Sequence, residues 1–180
     1  MNGPNILTAL RILSVPVLVV ILLSDFEGKE LTAFIVFLLA ALTDMLDGFL
    51  ARRKKQITVF GQLFDPIADK LLVASAFICL VELGSVAAWM VVIIIGREIA
   101  VSGFRAIASS KGINIAASFF GKIKMIAETV TIALLILGEK YLGNLYVFSQ
   151  VGLWVVIAAA LFSAGEYYLK FGRLILSRRS

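Results

Sequence analysis

Histidine is absent from this chain, and cysteine occurs once, as Cys79. Without imidazole there is no histidine general base, and the two shortages together exclude an intrachain disulfide and a Cys/His zinc cluster. Acid–base chemistry therefore falls to carboxylates, lysine, tyrosine or water. Cys79 lies inside an apolar run and reads as a small packing residue. Charge is scarce as well: Asp, Glu, Lys and Arg make up 16% of the 180 residues, against about 25% in an average soluble domain. The net charge of +5 does not imply a nucleic-acid partner. Basic residues at helix ends give the same sum without any groove for a polyanion.

Apolar surface is what the chain has in excess. Hydrophobic residues account for 61% of it, and the mean hydropathy is +1.00. Apolar stretches recur at lengths near ~20 residues, which suits helices crossing a bilayer better than strands. The stretches run from Ile6 to Leu23, Leu31 to about Arg52, Gly61 to Leu83, Val86 to Ser109, Ala117 to Leu137 and Tyr146 to Phe171. The pattern predicts an all-α, polytopic membrane protein, a six-transmembrane-helix bundle forming one domain over residues 1–180. No small-x-small cleavage pattern precedes Asp25, so the first stretch is expected to be a retained helix rather than a signal peptide. Six spans put both termini on one side. That side receives Arg52-Arg53-Lys54-Lys55, Lys111, Lys170 and the C-terminal arginines, which the positive-inside bias makes cytoplasmic.

Carboxylates interrupt two of these stretches. Asp44 and Asp47 share a helix sector with Gly48 and Ala51, because positions three and four apart fall on one face. Asp65 and Asp69, four apart, do the same near the start of the third helix. Two acidic pairs in apolar surroundings repel one another and lose hydration, and divalent cations relieve both costs. Hard oxygen ligands without thiol or imidazole point to magnesium or manganese. Two such ions can neutralise a pyrophosphate, stabilise its leaving phosphate and acidify an attacking hydroxyl. A proton- or sodium-coupled carrier also uses buried acids and stands as the rival reading.

The run Asp44-x2-Asp47-Gly48-x2-Ala51-Arg52-x8-Gly61-x3-Asp65-x3-Asp69 resembles the signature of the CDP-alcohol phosphotransferase family, with every fixed residue and every gap in place. That resemblance implies a six-helix bundle of the family's type. It implies an enzyme that cleaves the pyrophosphate of a CDP-linked substrate, passes the phosphate-containing part to an alcohol and releases CMP. It implies that Asp44, Asp47 and Asp65 bind two divalent metals. Asp69 would complete the cluster and take the acceptor's proton. Gly48, Ala51, Arg52 and Gly61 would lie against the cytidine nucleotide. The implied location is a bacterial inner membrane, multi-pass, with the active site facing the cytoplasm, and a homodimer is expected.

Cations beside the aspartates indicate an anionic acceptor. Arg97 lies deep in the fourth helix, Arg105 two turns further on, and Lys122 and Lys124 open the fifth. Glycerol 3-phosphate offers a dianionic phosphate at one end and a nucleophilic hydroxyl at the other. Gly96-Arg97-Glu98-Ile99, Ser102-Gly103-x-Arg105, Gly121-Lys122-x-Lys124 and Pro4-Asn5-x2-Thr8-x2-Arg11 are similar to segments of bacterial phosphatidylglycerophosphate synthases. Met125 and Glu128 depart from the Thr and Gln usual in those enzymes. The resemblance implies acceptor-phosphate binding by Arg97, Arg105 and Lys122, and places Asn5 and Thr8 beside the nucleotide or metal site. The implied reaction joins CDP-diacylglycerol and sn-glycerol 3-phosphate into phosphatidylglycerol phosphate and CMP. Phosphatidylglycerol or an inositol phosphate is the alternative acceptor.

Overall fold

Gly28 and Gly84, both at positive φ (82° and 72°), mark two of the places where the chain changes direction. The computed structural model describes residues 3–54, 59–110, 119–167 and 169, and side chains at 9–43, 67–110, 124–166 and 169. All regular elements among them are helical: α1 Gly3–Leu23, α2 Lys29–Lys54, α3 Val59–Glu82, α4 Ala88–Ser110, α5 Phe119–Leu142 and α6 Val147–Tyr167, with a short 3-10 turn, Gly143–Tyr146, between the last two.

The helix ends have local causes. α3 stops in a Schellman motif. The Ser85 N–H donates to the Leu80 carbonyl and the Gly84 N–H to that of Val81, both at 2.9 Å, with glycine in the left-handed position the motif favours. α2 opens after Gly28, whose carbonyl accepts from the Thr32 N–H at 3.0 Å. Glu30 in its first turn complements the positive end of the helix. α5 contains a break at Gly138 (φ 66°, ψ −178°), a conformation readily open to glycine.

α1 packs chiefly on α2 and α3, α5 on α6, and α4 on α6 with a lighter contact to α3. Leu18, Phe37, Phe77, Leu80, Ile94, Ile132, Leu153 and Val156 are buried at the centre. α4 and α6 run parallel, since Trp89 meets Trp154 (ring centroids 5.9 Å apart) and Arg97, further along α4, meets Ser163, further along α6. α5 and α6 approach closely at Gly152. A Cβ there would stand 2.5 Å from the Thr131 hydroxyl oxygen.

The all-α expectation holds, and each predicted stretch coincides with a helix. The six-transmembrane bundle does not hold. Among the described residues only one stretch is long and apolar enough to cross a membrane, Lys124–Glu166, which takes in most of α5, the 3-10 turn and α6. Charges interrupt two of the other helices: Asp69, Lys70 and Glu82 in α3, and Arg97, Glu98 and Arg105 in α4. The multi-pass location in a bacterial inner membrane, with an active site facing the cytoplasm, depended on six spans and is corrected with it.

Gly152→Ala should destabilise the fold by about 1–3 kcal/mol, the usual cost of overpacking a filled contact. Gly165, on the same helix, has open space at the Cβ position. Thermal unfolding of the two alanine variants should show a lowered midpoint for the first and an unchanged or raised one for the second. Equal midpoints would show that α5 and α6 do not meet at this position.

Candidate active site

The acidic signature lies on the end of α2 and the start of α3. Positions 44, 47, 48 and 51 follow one another on helical backbone in α2, as do 61, 65 and 69 in α3. This register is the one the spacing predicts. Side chains of Asp44, Asp47, Gly48, Ala51, Arg52, Gly61 and Asp65 lie outside the described residues, as do those of Asn5 and Thr8 in α1 and Lys122 in α5. Asp69 is described and half-buried.

Asp69 lines a cavity of about 290 Å³ between α3, α4 and α5, together with Lys70, Glu98 and Glu128. Its walls are otherwise apolar, built by residues such as Ile67, Leu71, Ile94 and Ile95. The cavity is thus an apolar cleft with carboxylates collected at one part of its lining.

Behind it, four charges form a connected network. Glu98 Oε1 accepts from Arg97 Nη1 and from Lys124 Nζ. Lys124 also pairs with Glu128 Oε2 at 3.2 Å, and Arg97 Nη2 donates to the Ser163 hydroxyl on α6. Lys124, Glu128 and Ser163 are buried (2%, 5% and 1% exposed). At this burial an unpaired charge is costly, and pairing makes it tolerable. Among the described residues, Arg97 Nε and Glu128 Oε1 are buried without a hydrogen-bond partner.

Of the three cations expected at an acceptor phosphate, Arg97 is thus engaged with Glu98 and Ser163, Arg105 is exposed on α4, and Lys122 lies outside the described side chains. Glu128 pairs with Lys124 rather than with Arg97. The local signal for that pair was the i,i+4 spacing of opposite charges in an apolar run. The parts played by Glu98 and Ser163 had no comparable local signal.

A protein-family model, CDP-alcohol phosphatidyltransferase, matches residues 1–164. The chain belongs to the CDP-alcohol phosphatidyltransferase family. It is similar to the CDP-diacylglycerol–glycerol-3-phosphate 3-phosphatidyltransferase of Bacillus subtilis, at 37% identity over 182 residues, covering 94% of each chain. The proteins of that name in Salmonella choleraesuis and Rickettsia typhi are 35% and 32% identical, covering 96% and 93% of this chain and 95% of each relative. Family membership places the protein among the transferases of phospholipid biosynthesis and decides against the carrier.

Divalent metals fit the family's donor set, since all four signature acids offer hard oxygen. Among the described residues no group of three acids could hold an ion; of the four, only Asp69 is described.

Removing the shared carboxylate should break the charged network. Glu98→Gln leaves Arg97 and Lys124 beside a neutral amide and is expected to cost about 3–5 kcal/mol, the scale for stripping one partner from a buried pair. Glu30→Gln removes a partner of Lys140, a pair at 3.4 Å with its lysine exposed, and should cost less than about 1 kcal/mol. Chemical denaturation of both variants gives the comparison, and comparable losses would mean that Glu98 holds nothing together.

Proposed function

We propose that the protein transfers the phosphatidyl group of CDP-diacylglycerol to sn-glycerol 3-phosphate, giving phosphatidylglycerol phosphate and CMP. The observation that carries this reading is the similarity, over at least 93% of this chain, to relatives whose names state that reaction. The intact acidic signature supports the transfer chemistry. The cationic residues of α4 and α5 support an acceptor that bears a phosphate.

In this reading Asp44, Asp47, Asp65 and Asp69 hold two magnesium or manganese ions. When bound, such ions neutralise the pyrophosphate and its leaving phosphate. Gly48, Ala51 and Gly61 leave room for the nucleotide, and Arg52 offers its fork to a phosphate. Asn5 and Thr8 border the same site from α1. Asp69 accepts the proton of the attacking hydroxyl, a role that position confers on an ordinary carboxylate.

Arg105 and Lys122 are assigned to the acceptor phosphate. Arg105 is exposed, so it can reach a soluble anion without breaking an existing pair. Arg97 holds Glu98 and Ser163 through its two terminal nitrogens and keeps Nε to offer a phosphate, so it is assigned there with them. Phosphatidylglycerol or an inositol phosphate as acceptor is the second reading.

CMP release from CDP-diacylglycerol should require glycerol 3-phosphate together with magnesium or manganese, and chelation should abolish it. Asp69→Asn should lower kcat by roughly 10²- to 10⁴-fold, the usual contribution of a positioned base, with bound metal measured alongside to separate proton removal from metal loss. Arg105→Gln should raise the KM for glycerol 3-phosphate by about tenfold or more and that for CDP-diacylglycerol far less. Turnover in a metal-free preparation, or a wild type that prefers an uncharged alcohol, would refute the assignment.

A further inference from the structure

Glu128 is used on one side only. Its Oε2 is held by Lys124 at 3.2 Å. Lys124 is in turn bound to Glu98, and Glu98 to Arg97. The carboxylate is therefore fixed in orientation by a chain of charges. Its other oxygen, Oε1, has no hydrogen-bond donor among the described residues, although the residue is only 5% exposed. A buried acceptor with no donor is unfavourable, and a native structure rarely keeps one without a use.

The position of Glu128 suggests the use. It lines the same cavity as Asp69. Lys70 and Glu98 complete the polar part of that lining. Two carboxylates on one cavity suit a ligand that brings two hydroxyl donors on adjacent carbons. Glu128 Oε1 is the acceptor open to one of them, and Asp69, the base assigned above, meets the other.

We infer, resting on the phosphatidyl-transfer reading, that Glu128 is a positioning residue that selects a vicinal diol in the acceptor. Asp69 faces the hydroxyl that attacks, and Glu128 Oε1 accepts a hydrogen bond from the neighbouring hydroxyl that stays behind. The acceptor is thereby turned so that one defined hydroxyl attacks. Proton removal remains with Asp69.

The probe is a pair of acceptors, glycerol 3-phosphate and 3-hydroxypropyl phosphate, which keeps the primary hydroxyl and the phosphate but lacks the middle hydroxyl. Wild type should favour glycerol 3-phosphate in kcat/KM by about 10- to 100-fold, the worth of one hydrogen bond to a charged group. Glu128→Ala should bring that ratio to within about twofold of unity by losing activity chiefly on the diol. Glu128→Gln keeps an acceptor oxygen and should retain most of the preference. A merely structural role would lower both activities together and leave the ratio intact. Glu128→Met, similar in length but without an acceptor oxygen of its own, supplies the comparison if the alanine variant does not fold. An unchanged ratio in the alanine or methionine variant overturns the inference, as does a wild-type ratio near unity. A wild type that releases CMP with neither acceptor overturns the phosphatidyl-transfer reading, and this inference with it.

Discussion

Glu98 accepts from two cations on two helices, Arg97 beside it in α4 and Lys124 across in α5. Among the described residues the backbones of α4 and α5 scarcely approach one another, so this shared carboxylate does what packing does elsewhere in the bundle. Two positive and two negative side chains are joined in it, and their formal charges cancel. Burial of Lys124 or Glu128 alone would be costly, and it is tolerable because each has a partner. The network continues through Arg97 to Ser163 on α6, so one polar chain fixes the mutual placement of the last three helices.

That placement creates the cavity. α1, α2 and α3 pack closely, as do α5 and α6, whereas α4 leans on α6 and touches α3 lightly. The space left between α3, α4 and α5 is lined by Asp69 from the first group and by Glu98 and Glu128 from the second. A side chain of the acidic signature therefore shares a cleft with residues of the charged network. The signature supplies the groups common to a family that cleaves CDP-linked substrates. In the proposed reading the network lies on the side that recognises the acceptor.

Helix positions were legible in the sequence because their causes are local. Gly84-Ser85 ends α3 through a motif that needs only those residues and the last turn, and Gly28 precedes α2 in the same way. The acidic signature was legible for a similar reason, since its register depends on spacing along two helices. The membrane reading failed because it took each stretch by its length and passed over the charges inside it. A span requires an uninterrupted apolar window, and the charges of α3 and α4 break theirs, which leaves Lys124–Glu166 alone among the described residues. The pairing of charges was legible only where it is short in sequence. Lys124 with Glu128 is a single helical turn, but Lys124 with Glu98 and Arg97 with Ser163 join separate helices and depend on the tertiary fold.

The same distinction bears on specificity. A divalent-metal signature written into consecutive helical turns can be kept while the acceptor changes, since nothing in its spacing refers to the acceptor. In the proposed reading, recognition of the alcohol depends on groups brought together from separate helices, where one substitution alters what a cavity wall can accept. Glu128 illustrates this. With Lys124 holding one carboxylate oxygen, the other is the only part of the side chain whose hydrogen bonding remains open among the described residues. In the proposed reading the acceptor's phosphate lies towards cations such as the exposed Arg105, while its hydroxyl end enters among the carboxylates. A molecule that is anionic at one end and hydroxylated at the other meets both requirements at once.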